Sequence, residues 1–167
     1  MTLIKMGELK MHSADGFPKV GDKAPDFTLT KTDLSTVTLA DYKGKTVLFN
    51  VYPSIDTVVC FESVKRFNET LSRDENSIIV CVSMDLPFAL KRIGDAEQYK
   101  NVDLLSDFRN REFGDHYGLT ILDGPLAGLL ARAVIVIDPN QRVTYAELVN
   151  DITHSANYEL AIQQICK

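Results

Sequence analysis

With 167 residues, 45% of them hydrophobic and 25% charged, the chain is long enough to bury roughly 70% of its unfolded surface around one core, which excludes wholesale disorder, collagen-like repeats and coiled coil. The 18 Lys and Arg against 23 Asp and Glu leave a net charge of -5 with no basic run, so nucleic acid is not an expected partner. The longest apolar stretch, Leu129 to Ile137, is broken by Arg132 and falls short of the roughly 18 residues that span a bilayer, so no membrane association is expected either.

Thr2 to Met6 and Glu8 to His12 flank Gly7 and predict an N-terminal β-hairpin; Gly16, Pro18, Gly21 and Pro25 then mark a loop. Met1 to Met11 lacks the apolar region of a secretory signal, so a cytoplasmic protein is expected. Phe27 to Thr30 and Val37 to Leu39 are short strand signals. Thr46 to Tyr52 reads as a buried central strand stopped by Pro53. From Thr57 to about Ser72, Cys60, Val64, Phe67 and Leu71 recur at helical spacing. A second apolar strand, Ser77 to Met84, precedes a helix starting near Pro87. Val102 to Leu105 predicts a strand and Asn110 to Tyr117 a short helix ended by Gly118. Ala133 to Ile137 and Val143 to Leu148 predict two strands joined by an Asp138-Pro139-Asn140-Gln141 turn, and Tyr158 to Cys166 a closing helix. Alternating strands and helices followed by a hairpin imply an α/β fold: a mixed central sheet with helices on both faces, in one domain over 1–167.

Three cysteines, Cys60, Cys81 and Cys166, with no CxxC pair argue against a disulfide framework, a structural zinc site and a dithiol oxidoreductase, and leave at least one thiol free. Cys60 sits where a buried strand turns into a helix. Unpaired N–H groups and the positive helix end stabilise thiolates at such positions, and the thiolate is the nucleophile. Alone, Cys60 reads equally as a small core hydrophobe. Its neighbours decide: Pro53, Thr57 and Cys60 form PxxxTxxC, which resembles the active-site signature of the peroxiredoxins. Tyr52-Pro53-Ser54-Ile55-Asp56-Thr57, Asp85-Leu86-Pro87-Phe88-Ala89, Phe108-Arg109-Asn110 and the Asp123 to Leu129 segment with Ala131-Arg132-Ala133-Val134 extend the resemblance to the bacterial thiol peroxidase subfamily, over nearly the whole chain.

The resemblance implies a thioredoxin-like fold, a homodimer, no cofactor, and reduction of hydrogen peroxide or organic hydroperoxides with electrons from thioredoxin or a similar thiol. Carried over by position, Cys60 is the peroxidatic cysteine that becomes a sulfenic acid, Thr57 holds the thiolate and peroxide, Pro53 shields the site, and Arg132 stabilises developing charge. Arg109 is assigned to the dimer contact by resemblance alone. In one respect the chain departs from the subfamily: the usual resolving cysteine is replaced by Gly94. Resolution then falls to Cys166 near the C-terminus, to an external thiol, or to Cys81, which reads as core. The missing thiol also keeps open a different class of function, a redox sensor in which oxidised Cys60 forms a mixed disulfide with a partner without appreciable turnover.

The remaining signals are weaker. Gly44-Lys45-Thr46 lacks the earlier glycine of a phosphate loop, and Gly124 and Gly128 belong to a turn. His12, His116 and His154 are scattered, so no metal is implied.

Overall fold

The computed structural model describes residues 1–166. Its strands are β1 (Thr2–Met6), β2 (Leu9–Ser13), β3 (Thr28–Thr30), β4 (Thr36–Thr38), β5 (Thr46–Val51), β6 (Ser77–Ser83), β7 (Val102–Ser106), β8 (Ala133–Ile137) and β9 (Val143–Leu148). Its α-helices are α1 (Val58–Leu71), α2 (Pro87–Glu97), α3 (Glu112–His116) and α4 (Tyr158–Gln163). β1 and β2 form the expected antiparallel hairpin. The other strands make one mixed sheet in the order β4-β3-β7-β6-β5-β8-β9. β5, β6 and β7 run parallel through the α1 and α2 crossovers, and β8 and β9 close one edge as an antiparallel pair. No helix among the described residues is long and apolar enough to cross a membrane.

The period-two alternation of the central strands divides the core. Leu48, Tyr52, Ile79, Cys81, Val134 and Val136 face α1, α2 and α4, whose Val64, Phe67, Leu71, Leu90 and Ala161 cover them. Val47, Phe49, Val51, Val80, Val82 and Ile135 face the other way, onto Phe27, Phe113, Tyr117 and the hairpin residues Ile4 and Met11. The two faces are thus covered unequally: three helices on one, and on the other a single short α3 with the hairpin and loops. The Phe113 and Tyr117 rings stack at 4.2 Å between centroids, one turn apart on α3 and its C-cap.

Element ends differ from the sequence expectations where side chains intervene. Leu39 ends no strand; it opens a one-turn 3-10 helix, Leu39–Tyr42, whose Thr38 N–H is taken by Asp41. α3 begins at Glu112, two residues late, because Arg111 adopts φ 60° and the buried Asp107 carboxylate accepts the N–H groups of Phe113 and Gly114 at 3.2 and 2.8 Å. α4 ends at Gln163 instead of Cys166.

Burial pushes the Asp107 carboxyl up to about 6 against the two N–H bonds. Between about pH 4 and 6 the unfolded chain releases this proton while the folded chain retains it, so the group withdraws stability as pH rises and contributes no slope above 6. The unfolding free energy of the parent minus that of Asp107→Asn, measured by urea melts, is expected to fall across that window and level off. A difference that rises with pH contradicts the assignment.

Candidate active site

The chain leaves β5 at Val51, passes Tyr52 and the buried Pro53, and enters α1 with Thr57 as N-cap and Cys60 in the first turn. Cys60 lies on the sheet-facing side and is 0% exposed. Its backbone is held from below. The Ser63 hydroxyl donates to the Cys60 carbonyl at 2.6 Å, and Asn50 Nδ2, projecting from β5, donates to Ser63 Oγ at 2.9 Å. Asn50 and Ser63 are both buried, so this polar pair ties the reactive turn to the sheet where water cannot compete.

Two donors meet the sulfur. Thr57 Oγ1 lies 2.6 Å from Cys60 Sγ and 3.1 Å from the Ser54 carbonyl, so its single proton serves one acceptor or the other. Arg132 Nη2 donates to Cys60 Sγ at 3.4 Å. The contact spans 72 residues of sequence, and strand pairing explains it. β8 pairs antiparallel with β5 in the register Val51↔Ala133, which sets Arg132 beside Tyr52, on the face that Val134 and Val136 share with α1. Arg132 is only 4% exposed. Its Nε and Nη2 hold the Ile152 carbonyl at 3.1 and 2.9 Å, while Nη1 is buried with no hydrogen-bond partner among the described residues. No carboxylate pairs with Arg132 among the described residues, so its positive charge faces the sulfur alone.

Pro53, Thr57 and Arg132 border a cleft of about 320 Å³ whose walls are Met6, Val58, Leu126 and Leu129. Met6 comes from the hairpin and Leu126 and Leu129 from the 122–130 loop. These pieces are clamped together where Asp123 accepts both the His12 N–H and a contact from its ring nitrogen, each at 2.7 Å. The cleft is therefore walled mainly by apolar side chains, and its border includes Thr57 and Arg132, the two residues that contact the Cys60 sulfur.

The other sequence candidates lie elsewhere. Cys81 is buried on β6, and burial pushes its thiol up to about 12 against the lowering effect of the Asn50 amide, which donates to its sulfur at 3.9 Å. Cys166 is exposed just past α4, with its N–H on the Ile162 carbonyl at 3.0 Å. α4 meets α1 through Tyr158 on Phe67 and Glu159 on Arg66, about two helical turns beyond Cys60. Gly94 lies on α2 against Leu104, lining a separate cleft with Lys91, Asp95 and Tyr99. Arg109 is exposed, with its guanidinium 5.5 Å from the Phe108 ring centre. Asn50 and Ser63 escape sequence reasoning; a lone amide within the apolar run Thr46 to Tyr52 is the only signal of them. The work of Asp85 escapes it too: its carboxylate accepts from Ser54 Oγ, the Ile55 N–H and Ser83 Oγ at 2.7, 2.8 and 2.7 Å.

Residues 19–162 match the Redoxin family. A thiol peroxidase of Mycobacterium bovis is 49% identical over 145 residues, 87% of each chain. Among solved structures, a peroxiredoxin-like protein from Aquifex aeolicus superposes with a TM-score of 0.93 at 35% identity, covering 99% of this chain and 96% of its own. A thiol peroxidase from Chromobacterium violaceum shares the fold with a TM-score of 0.90 at 23% identity, covering 98% and 94%.

The thiols separate by accessibility. In reduced native protein a maleimide at neutral pH is expected to label Cys166 and to leave Cys81 unmodified until denaturant opens the core, as read by peptide mass mapping. Native labelling of Cys81 at the rate of Cys166 contradicts the packing.

Proposed function

The chain belongs to the Redoxin family and is a thiol-dependent peroxidase of the bacterial thiol peroxidase type, and from that premise we propose that Cys60 is its peroxidatic cysteine. The observation that carries the proposal is the convergence on one buried sulfur of Thr57 Oγ1 and Arg132 Nη2, from two residues that also line the apolar cleft. In this reading Cys60 reacts as its thiolate, the nucleophilic form of the thiol, with the Arg132 guanidinium in contact with the sulfur. The sulfur attacks one peroxide oxygen, the O–O bond breaks, and the other oxygen leaves as alkoxide or hydroxide and takes up a proton to become alcohol or water. Sulfur is oxidised to the sulfenic acid and the peroxide is reduced. Arg132 Nη1, buried and unpartnered, supplies a donor for the charge that moves onto the leaving oxygen, and Thr57 orients the peroxide. Pro53 closes one side against water. The apolar walls accommodate the organic arm of alkyl hydroperoxides as well as hydrogen peroxide itself.

Recycling takes two balanced steps. A thiol condenses with the sulfenic acid to give a mixed disulfide and water, and a second thiol displaces Cys60 from it as a thiolate. Cys81 is sealed in the core, and Cys166 follows α4, whose start packs on α1 about two turns from Cys60, so this reading takes the resolving thiol from outside the chain: thioredoxin or a comparable dithiol. The same reading takes the working unit as a homodimer in a bacterial-type cytoplasm, with Arg109 at the contact.

Ionisation alone accounts for little of the rate. An ordinary thiol is roughly 3% ionised at pH 7, so complete ionisation gains about thirtyfold. Removing one preorganised donor to a developing oxyanion costs about a hundred- to a thousandfold, and one hydrogen bond to a charged group about ten- to a hundredfold. Under excess dithiol, sustained peroxide consumption is expected for the parent protein and none for Cys60→Ser. Arg132→Ala is expected to lower kcat/KM for peroxide by the first factor and Thr57→Val by the second, with neither deficit fully recovered by raising the pH. A single stoichiometric turnover without steady-state consumption would favour a redox sensor, and full recovery at high pH would contradict the positioning roles.

A further inference from the structure

The turn that delivers Thr57 to the sulfur, residues 53–57, contains no regular secondary structure and needs an external anchor. That anchor is one carboxylate. Asp85, between β6 and α2, accepts the Ser54 hydroxyl and the Ile55 N–H on its two oxygens. Ser54 in turn holds the rest of the turn: its Oγ accepts the Asp56 N–H at 3.2 Å, and its carbonyl accepts the Thr57 N–H at 3.2 Å and stands 3.1 Å from the Thr57 hydroxyl. Asp85 is itself fixed from behind. The buried Ser83 hydroxyl donates to its carboxylate at 2.7 Å, and the buried Ser106 hydroxyl, from the end of β7, donates to its carbonyl at 2.5 Å. A continuous path of hydrogen bonds thus runs from the ends of β6 and β7 through Asp85 and Ser54 to Thr57.

We propose that Asp85 is a positioning residue for the peroxide reaction: its carboxylate fixes the Ser54–Thr57 turn and thereby the Thr57 hydroxyl over the Cys60 sulfur. The proposal rests on the assignment of Cys60 as the peroxidatic cysteine. It concerns geometry and not charge, and the two differ in sign. A carboxylate close to a thiolate opposes it. If Asp85 acted on Cys60 through charge, removing it would ease ionisation and speed the reaction; if it acts by holding the turn, removing it slows the reaction although the thiolate is favoured.

The test measures the second-order rate constant of reduced protein with hydrogen peroxide by stopped flow, alongside thiolate absorbance at neutral pH and far-ultraviolet circular dichroism, for the parent, Asp85→Ala, Asp85→Asn and Ser54→Ala. Asp85→Ala is expected to react at least tenfold more slowly with undiminished thiolate absorbance and a native spectrum. Asp85→Asn, which keeps one accepting oxygen, is expected to fall between it and the parent, and Ser54→Ala to lose about threefold. A rate for Asp85→Ala within twofold of the parent, or above it, overturns the proposal, as does a loss that simply tracks lost thiolate. If Asp85→Ala does not fold, Ser54→Ala carries the decision, and an unchanged rate there overturns the proposal. A parent protein no faster than a free thiol overturns the assignment of Cys60 and the positioning role with it.

Discussion

A guanidinium taken out of water needs compensation, and the construction of this molecule around Arg132 turns on that need. The idealised cost of moving such an ion into a dry interior is of order 20 kcal/mol, and several kcal/mol remain after relaxation. Arg132 is 4% exposed, its Nε and Nη2 lean on a single backbone carbonyl, and its Nη1 has no hydrogen-bond partner among the described residues. A folded protein tolerates this where surrounding structure overdetermines it, and local rules broken without visible gain in stability concentrate at functional sites. Here the β5–β8 pairing fixes the arginine, the Asn50–Ser63 pair fixes the helix turn opposite it, and the two meet at the Cys60 sulfur.

Cys60 and Cys81 are two buried thiols with very different surroundings. Both are buried on the same side of the sheet, and both are within reach of the Asn50–Ser63 network. Cys81 has strands on either side, no cation and no helix end, and burial holds it in its neutral form. Cys60 has the first turn of α1, the Thr57 hydroxyl and the Arg132 guanidinium. Burial by itself penalises charge, whereas a cation and a helix N-terminus act in the opposite direction.

The sequence carried the elements because hydrophobic periodicity is local. The runs Thr46 to Tyr52 and Ser77 to Met84 and the spacing of Val64, Phe67 and Leu71 read directly as buried strands and an amphipathic helix. It carried boundaries less well, since Asp41 and Asp107 set them through side-chain bonds across loops that periodicity does not register. Of the site, Pro53, Thr57 and Cys60 are legible as one contiguous motif. Arg132 is not: nothing in spacing places it at a sulfur 72 residues away, and only a family resemblance named it before the strand register gave the reason. Asp85 was visible as part of a motif while its work was invisible, because that work depends on where the end of β6 falls relative to the turn after β5.

The most direct test of Cys60 as the residue that meets the peroxide is the intact mass of fully reduced protein after one equivalent of hydrogen peroxide, under non-reducing conditions, with Cys60→Ser alongside. The predicted result is the gain of one oxygen atom, mapped to Cys60 by trapping the sulfenic acid and absent from Cys60→Ser, with no loss of two hydrogens and no linked dimer. Unchanged mass, or oxygen gained elsewhere, would contradict the assignment of Cys60. A Cys60-dependent disulfide with Cys81 or Cys166 would contradict the external route of recycling while leaving Cys60 as the residue that meets the peroxide.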